Sequence, residues 1–237
     1  MATKSFCSGN HILIGLGGTG GKILRAFKMR MFEEFPTAEE RKNLAVSLLY
    51  VDSTDEMMLK EARQKCRVMG QDASFTNNEF FNIKDVDVEH ILDHISNYPS
   101  VKGIVNNVGA VKSAIGSLGQ AAGQKRRAGR LLFAANAVGY KNSLRNSYAR
   151  CEAISGNGDE LYIYIFAGLC GGTGSGSIID VVTQTRKEYP NANISVYAMI
   201  PEMNLPAANM DQGRYYQNGY AAMNELNALQ AGRFFPQ

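Results

Sequence analysis

A chain of 237 residues, 45% hydrophobic and 20% charged, has enough apolar content for one large buried core and is too apolar for a disordered chain. No run of about 18 apolar residues is present, so no transmembrane helix is expected. With 25 Lys and Arg against 22 Asp and Glu, the net charge of +3 gives no reason to expect nucleic acid as a partner. Cys7, Cys66, Cys151 and Cys170 are scattered without a CxxC pair and the first residues carry no leader pattern, so the expectation is free thiols in a reducing cytoplasm.

Residues 11–15 (HILIG) form a short apolar run ending in glycine, which predicts a buried strand. Ile23, Leu24, Phe27, Met31 and Phe35 fall at helical spacing and predict a helix over 22–35, stopped by Pro36. Residues 44–51 read as a second buried strand and 55–64 as a helix, whereas 66–87, rich in Asn, Asp and Phe, read as a surface excursion. A helix over 88–98, a third strand over 101–108, a glycine loop over 116–123 and one long helix over 124–149 follow. Residues 161–167 (LYIYIFA) are apolar almost without interruption, as a parallel strand covered on both faces must be. A helix over 177–189, a strand over 194–200 and an amphipathic helix over 215–229 complete the chain. This alternation predicts the α/β class: a three-layer, doubly wound, mostly parallel sheet with helices on both faces, in one domain over 1–237.

Glycines number 24, about a tenth of the chain, and they cluster. The first cluster, Gly15-Leu-Gly17-Gly18-Thr19-Gly20-Gly21-Lys22, lies between a strand and a helix, where glycine lets the backbone approach an anion and a helix start aims N–H groups at it. Gly15, Gly17 and Gly20 satisfy GxGxxG, but tight strand-to-helix turns use glycine too. A Walker A loop is excluded: its first glycine would fall on Leu16 and its Ser/Thr on Ile23, so Lys22 is not counted as a phosphate lysine. The second cluster, Gly168-Leu-Cys170-Gly171-Gly172-Thr173-Gly174-Ser175-Gly176, follows the strongest strand and forms a donor-rich nest at another helix start. Two such nests suit a polyphosphate gripped from both sides. The third runs from Gly116 through Gly119 and Gly123 into Lys125, Arg126, Arg127 and Arg130. Four cations early in a helix oppose its dipole, a conflict that a nearby phosphate relieves and that a solvated basic face would merely tolerate.

These residues resemble the tubulin/FtsZ superfamily of GTPases. Cys170–Gly176 reads CGGTGSG and matches the family's strand–(S/A/G)GGTG(S/A)G–helix motif from Gly171 onward. Gly15–Gly21 sits where that family has its first phosphate loop, Val51-Asp52 is similar to the end of its second strand, and Gly129-Arg130 matches a Gly-Arg pair in its γ-phosphate-sensing loop. The closest flavour is the divergent bacterial tubulin-like proteins.

The resemblance implies GTP or GDP with Mg²⁺, held by Gly17, Gly18, Thr19, Gly20 and Gly21 on one side and by Gly171, Gly172, Thr173, Gly174 and Ser175 on the other. Gly119 and Gly123 would approach the γ-phosphate, Asp52 would stand beside the site, Asp211 and Arg214 are candidates for the ribose, and Asn218 for the guanine edge. It further implies a cytoplasmic cytoskeletal protein that self-associates head to tail into filaments and hydrolyses GTP on assembly. The acidic loop that completes catalysis belongs to a C-terminal half not present in 1–237, so hydrolysis is expected to be weak; no catalytic residue is assigned.

Two rival functions stand beside this one. An NAD(P)-dependent oxidoreductase would use the GxGxxG loop, but Asp52 lies 32 residues after Gly20, later than the roughly 20 expected for a ribose ligand, and the second nest is left without a role. A non-hydrolysing scaffold would keep nucleotide as a structural ligand. His90 and His94, four apart beside Glu89 and Asp93, have the spacing of a zinc pair without a third ligand, so no metal site is assigned. Cys170 is either a thiol activated by helix N–H groups or a small apolar filler, and Tyr215, Tyr216 and Tyr220 either stack on a base or pack in the core.

Overall fold

The computed structural model describes residues 8–84, 86–115, 124–156, 158–202 and 212–233. The chain opens with β1 (Asn10–Leu16), α1 (Gly17–Glu34), α2 (Ala38–Lys42), β2 (Val46–Asp52), α3 (Lys60–Gln64), a hairpin of β3 (Arg67–Val68) and β4 (Gln71–Asp72), and β5 (Phe80–Asn82). Four helices follow: α4 (Val88–Asp93), α5 (Pro99–Lys102), α6 (Val108–Ile115) and α7 (Arg126–Ala135). Then come α8 (Ala137–Ser155), β6 (Leu161–Gly168), α9 (Thr173–Glu188), β7 (Asn193–Met199) and α10 (Gln212–Gln230).

Five strands form one parallel sheet in the order β5-β2-β1-β6-β7. Alternate side chains build two cores, as the two-residue period of a strand requires. Ile12, Ile14 and Leu16 of β1 and Ile163, Ile165 and Ala167 of β6 pack with Leu131, Phe133, Tyr140, Leu144 and Ile178, so α7, α8 and α9 cover one face. Leu13, Leu48 and Tyr50 point the other way, against Leu24 of α1 and Phe75. The α/β doubly wound architecture with helices on both faces is therefore the observed one. No described helix is long and apolar enough to cross a membrane.

Several elements differ from the sequence reading. The first glycine cluster is not a loop before a helix: α1 starts at Gly17 itself. The stretch 66–87 is no mere surface excursion, because Cys66, Val68, Ala73, Phe75 and Ile83 are buried and Phe80–Asn82 adds an edge strand to β2. Buried Lys28 fastens it to α1, donating to Glu79 Oε2 at 2.6 Å and Ser74 O at 2.7 Å. The predicted strand over 101–108 is instead α5, a turn and the start of α6; Pro99 opens the first helix and Asn107 Oδ1 accepts from Ala110 N at 2.9 Å at the start of the second. The long helix over 124–149 is divided at Asn136, whose Nδ2 donates to Ile83 O at 3.1 Å and Leu132 O at 2.9 Å. The glycine loop over 116–123 lies outside the described residues.

Candidate functional site

β1 and β6 are neighbours at the centre of the sheet. β1 feeds α1 on one face and β6 feeds α9 on the other, so a crevice opens between their C-terminal ends, the place where open α/β sheets take ligands. A cleft of about 330 Å³ lies there, lined by both glycine clusters and by the end of β2. Two helices begin on it. The residues preceding α1 and α9, Leu16 and Gly172, give no side-chain cap, and neither first turn holds an acidic residue. The leading N–H groups and partial positive charges of both helices are thus left open to the cleft.

The glycines divide into those that hold the two rims together and those that face open space. Gly17, at φ +64°, starts α1 in a left-handed conformation, and a Cβ on it would stand 2.9 Å from Gly174 N. A Cβ on Gly174 would in turn stand 2.7 Å from Leu16 O. Gly20 and Gly21 lie behind the rim, outside the cleft lining, where any side chain would meet Phe166 O or the Tyr50 ring at 2.5 Å. Gly18 and Gly171 line the cleft and have nothing within 4 Å of an added Cβ.

Asp52 ends β2 at the cleft wall, 2% exposed. Tyr50 OH donates to its Oδ2 at 2.5 Å and Ser53 N to its Oδ1 at 2.7 Å. Burial nonetheless lifts its carboxyl above the ordinary carboxylate range. Ser53 Oγ shares a hydrogen bond of 2.7 Å with Thr173 Oγ1, which ties β2 to the start of α9. A raised folded pKa means that the native state keeps a proton the unfolded chain has released. Stability from this group is therefore full below about pH 4 and falls as pH rises through the window up to the folded value. Asp52→Asn, whose Oδ1 still accepts from Ser53 N and whose Nδ2 donates to the Tyr50 hydroxyl oxygen, is expected to match the parent in urea unfolding at low pH and to exceed it increasingly as pH rises through that window.

Of the other residues singled out from the sequence, Thr19, Gly172 and Thr173 line the cleft. Ser175 is fully buried behind it, accepting from Arg126 Nε at 2.8 Å. Asn218 lies outside the lining and donates through Nδ2 to Gln124 O at 2.8 Å and Cys170 O at 3.0 Å; Arg214 is exposed on the first turn of α10, also outside it. Gly119, Gly123 and Asp211 fall outside the described residues. The cleft adds Tyr50, Thr54, Glu56, Met57 and Gln124, for which the sequence gives no signal, and Lys22, which the failed Walker pattern excludes as a phosphate lysine. Lys22 was legible, since it sits four residues after Gly18 on the same helix face.

Two cations of the basic cluster are turned into the protein. Arg126 pairs with Glu225 at 2.5 Å, and Arg130 forms two bonds to Asp180 at 2.9 and 3.2 Å. Gly129 and Gly176 allow α7 and α9 to cross in close contact, for a Cβ on either would come within 2.2 Å of a carbonyl oxygen of the other segment. Burial pushes the Cys170 thiol up, the reverse of activation. The His90 and His94 rings lie 4.3 Å apart on the exposed side of α4, and no group of three His, Cys, Asp or Glu is arranged for a metal among the described residues. Tyr215, Tyr216 and Tyr220 are not part of the cleft lining.

Comparison with known proteins gives two kinds of match. A family profile described as "Tubulin like" covers residues 12–235. Among solved structures, CetZ from Methanosaeta thermophila superposes with a TM-score of 0.58 at 15% identity, over 93% of this chain and 43% of that one. TubZ from Bacillus thuringiensis serovar israelensis, solved as a GTPγS-form protofilament, gives 0.55 at 14% identity over 96% and 44%. The chain therefore spans less than half the length of these two structures, and at such identities the likeness is one of fold. A search of curated protein sequences finds no significant match.

Proposed function

We propose, from the premise that the chain belongs to the tubulin-like family, that its cleft binds GTP or GDP and that in the whole protein bound GTP is hydrolysed as molecules assemble head to tail into a filament in the cytoplasm. The observation that carries this reading is the pair of uncapped helix starts, α1 and α9, opening on one cleft from adjacent strands. A polyphosphate spreads several negative charges over oxygens that need many donors, and two facing helix N-termini supply them without a cation for each. The GTPγS of the TubZ protofilament supports guanine nucleotide as the occupant.

Gly17, Gly18 and Thr19 would face the phosphates from α1, and Gly171, Gly172, Thr173 and Gly174 from α9, with exposed Lys22 as a counter-charge. Gly20, Gly21 and Ser175 would act from behind by fixing those rims; Gly119 and Gly123 remain assigned to the γ-phosphate, and Asp211, Arg214 and Asn218 to the ribose and base. A carboxylate on the wall of an anion site calls for a cation between them. The donor set of Asp52, Ser53 and Glu56 fits Mg²⁺, which takes one or two carboxylates and completes its shell with phosphate oxygens and water. Bound there, Mg²⁺ would offset the developing charge of phosphoryl transfer. The chain's own groups orient the phosphates and exclude bulk water, and turnover waits on an acidic residue from a neighbouring molecule.

Thermal unfolding tests the reading. GTP with Mg²⁺ at about a hundred times its Kd should raise the melting temperature by roughly 5–10 °C, while NAD should leave it unchanged. A shift with NAD and none with GTP would replace this function by the oxidoreductase. Phosphate release followed alongside light scattering separates a hydrolysing filament from a scaffold that merely retains nucleotide.

A further inference from the structure

A second cavity, of about 370 Å³, shares no lining residue with the cleft and has no part in the function above. It lies between the turn after α5, α6 and α7, with Gly176 of α9 and Glu225 of α10 completing its lining. Its two walls differ in character. Ile104, Val105, Val111 and Leu131 give it an apolar side, and Arg126, Arg127 and Arg130 give it a basic one.

Two of the three cations in the basic wall are tied into the protein. The Arg126 guanidinium is held by Ser175 and Glu225, and that of Arg130 by Asp180, so both are fixed in place before anything binds. Arg127 is different: it is exposed and pairs with no carboxylate among the described residues. Three guanidiniums facing two carboxylates leave one positive charge over. The first turn of α7 holds no acidic residue and no side-chain cap, which adds the helix's own partial charge to that surplus. A wall with one uncompensated charge, next to an apolar wall, is complementary to a molecule with one anionic head on an apolar body. The volume falls within the range of small-molecule sites and is too small for a folded partner.

We propose that this cavity binds a small amphipathic organic anion, its carboxylate or phosphate head on Arg127 and its apolar body against Ile104, Val105 and Val111. The head exchanges water for a charge-assisted bond to a guanidinium already biased toward anions, and the body removes apolar surface from water. Asn106, exposed at the mouth, offers the head a further donor.

The test uses three probes that share one apolar body: phenylbutyrate, phenylbutyl phosphate and neutral phenylbutanol, each titrated by calorimetry and saturation-transfer NMR. At least one charged probe should bind, and the alcohol should bind roughly tenfold more weakly or not at all. Whether the carboxylate or the phosphate binds more tightly identifies the head. Arg127→Gln, a surface change, should weaken the charged probe by roughly tenfold. Ala110→Trp, which fills the cavity from the exposed side of α6, should abolish binding, with both variants retaining the parent's melting temperature to within about 2 °C. Gly171→Val, at the other cleft, should leave probe binding unchanged. Three results would each overturn the proposal: no binding of either charged probe at millimolar concentration, equal binding of the alcohol, or binding lost in Gly171→Val yet kept in Arg127→Gln.

Discussion

Gly171→Val is expected to weaken GTP binding by roughly a hundredfold, about 3 kcal/mol, while leaving the melting temperature of the nucleotide-free protein within about 2 °C of the parent. The two halves of that expectation have separate causes. In the free protein the new side chain meets nothing, since no atom lies within 4 Å of a Cβ at this position. With nucleotide present, the same volume is wanted by a phosphate that must come within hydrogen-bond distance of the backbone. Gly18→Ala should separate the effects further. Gly18 lies in the first turn of α1, where alanine is the better helix former, so the variant should be slightly more stable than the parent and still bind GTP less tightly. Calorimetric titration and thermal unfolding on the same samples check both quantities; unchanged affinity in both variants would remove the nucleotide from this cleft.

Gly176→Val is expected to do the opposite, lowering stability by at least about 3 kcal/mol, or roughly 6–12 °C in melting temperature, before any ligand is considered. A Cβ at Gly176 falls 2.2 Å from Arg126 O and 2.9 Å from Arg130 N. Both obstacles are main chain of α7, so no rotamer change relieves them, and the helix itself must move. That movement would strain the Arg130–Asp180 and Arg126–Glu225 pairs, which span the same crossing. Gly109→Ala is the matched control. Its Cβ finds only Asn107 Oδ1 at 3.5 Å, an ordinary contact on an exposed stretch of α6, and alanine there should stabilise by up to about 1 kcal/mol. Urea unfolding of the two variants should therefore move in opposite directions.

The strands at the centre of the sheet were legible because burial on both faces leaves a nearly unbroken apolar run, as in 161–167, and few arrangements besides a covered strand tolerate one so short. The region 101–108 misled because its β-branched content suggests a strand, while Gly103 and the Asn106-Asn107 pair break it into the end of one short helix, a turn and the start of another. The edge strand Phe80–Asn82 was hidden for another reason. It is three residues long, with Phe80 joining one core and Phe81 the other, so no period can be read from it. Asn136 divides a helix whose flanks are both good helix formers, and the cause is a carbonyl at Ile83 that no local pattern foretells.

At the cleft, the sequence located both glycine clusters but could not say which glycine does what. Gly20 and Gly18 sit two apart in one run, yet a side chain at the first would strike the sheet while one at the second meets nothing within 4 Å. That distinction depends on Phe166, a distant residue whose carbonyl the fold brings beside Gly20. Lys22 completes no Walker pattern, yet its place on the first turns of α1 brings it to the cleft regardless.

The close approach of Gly17 to Gly174, and of Gly174 to Leu16, brings two segments more than 150 residues apart into one jaw, seated on the β1–β6 ladder that runs up to Leu16 and Ala167. A guest arriving in such a jaw finds its shape already set, so little of the interaction is spent on ordering the host. For the nucleotide proposed as that guest, a change at its third phosphate would have to act on both helix starts together, or through segments outside the jaw.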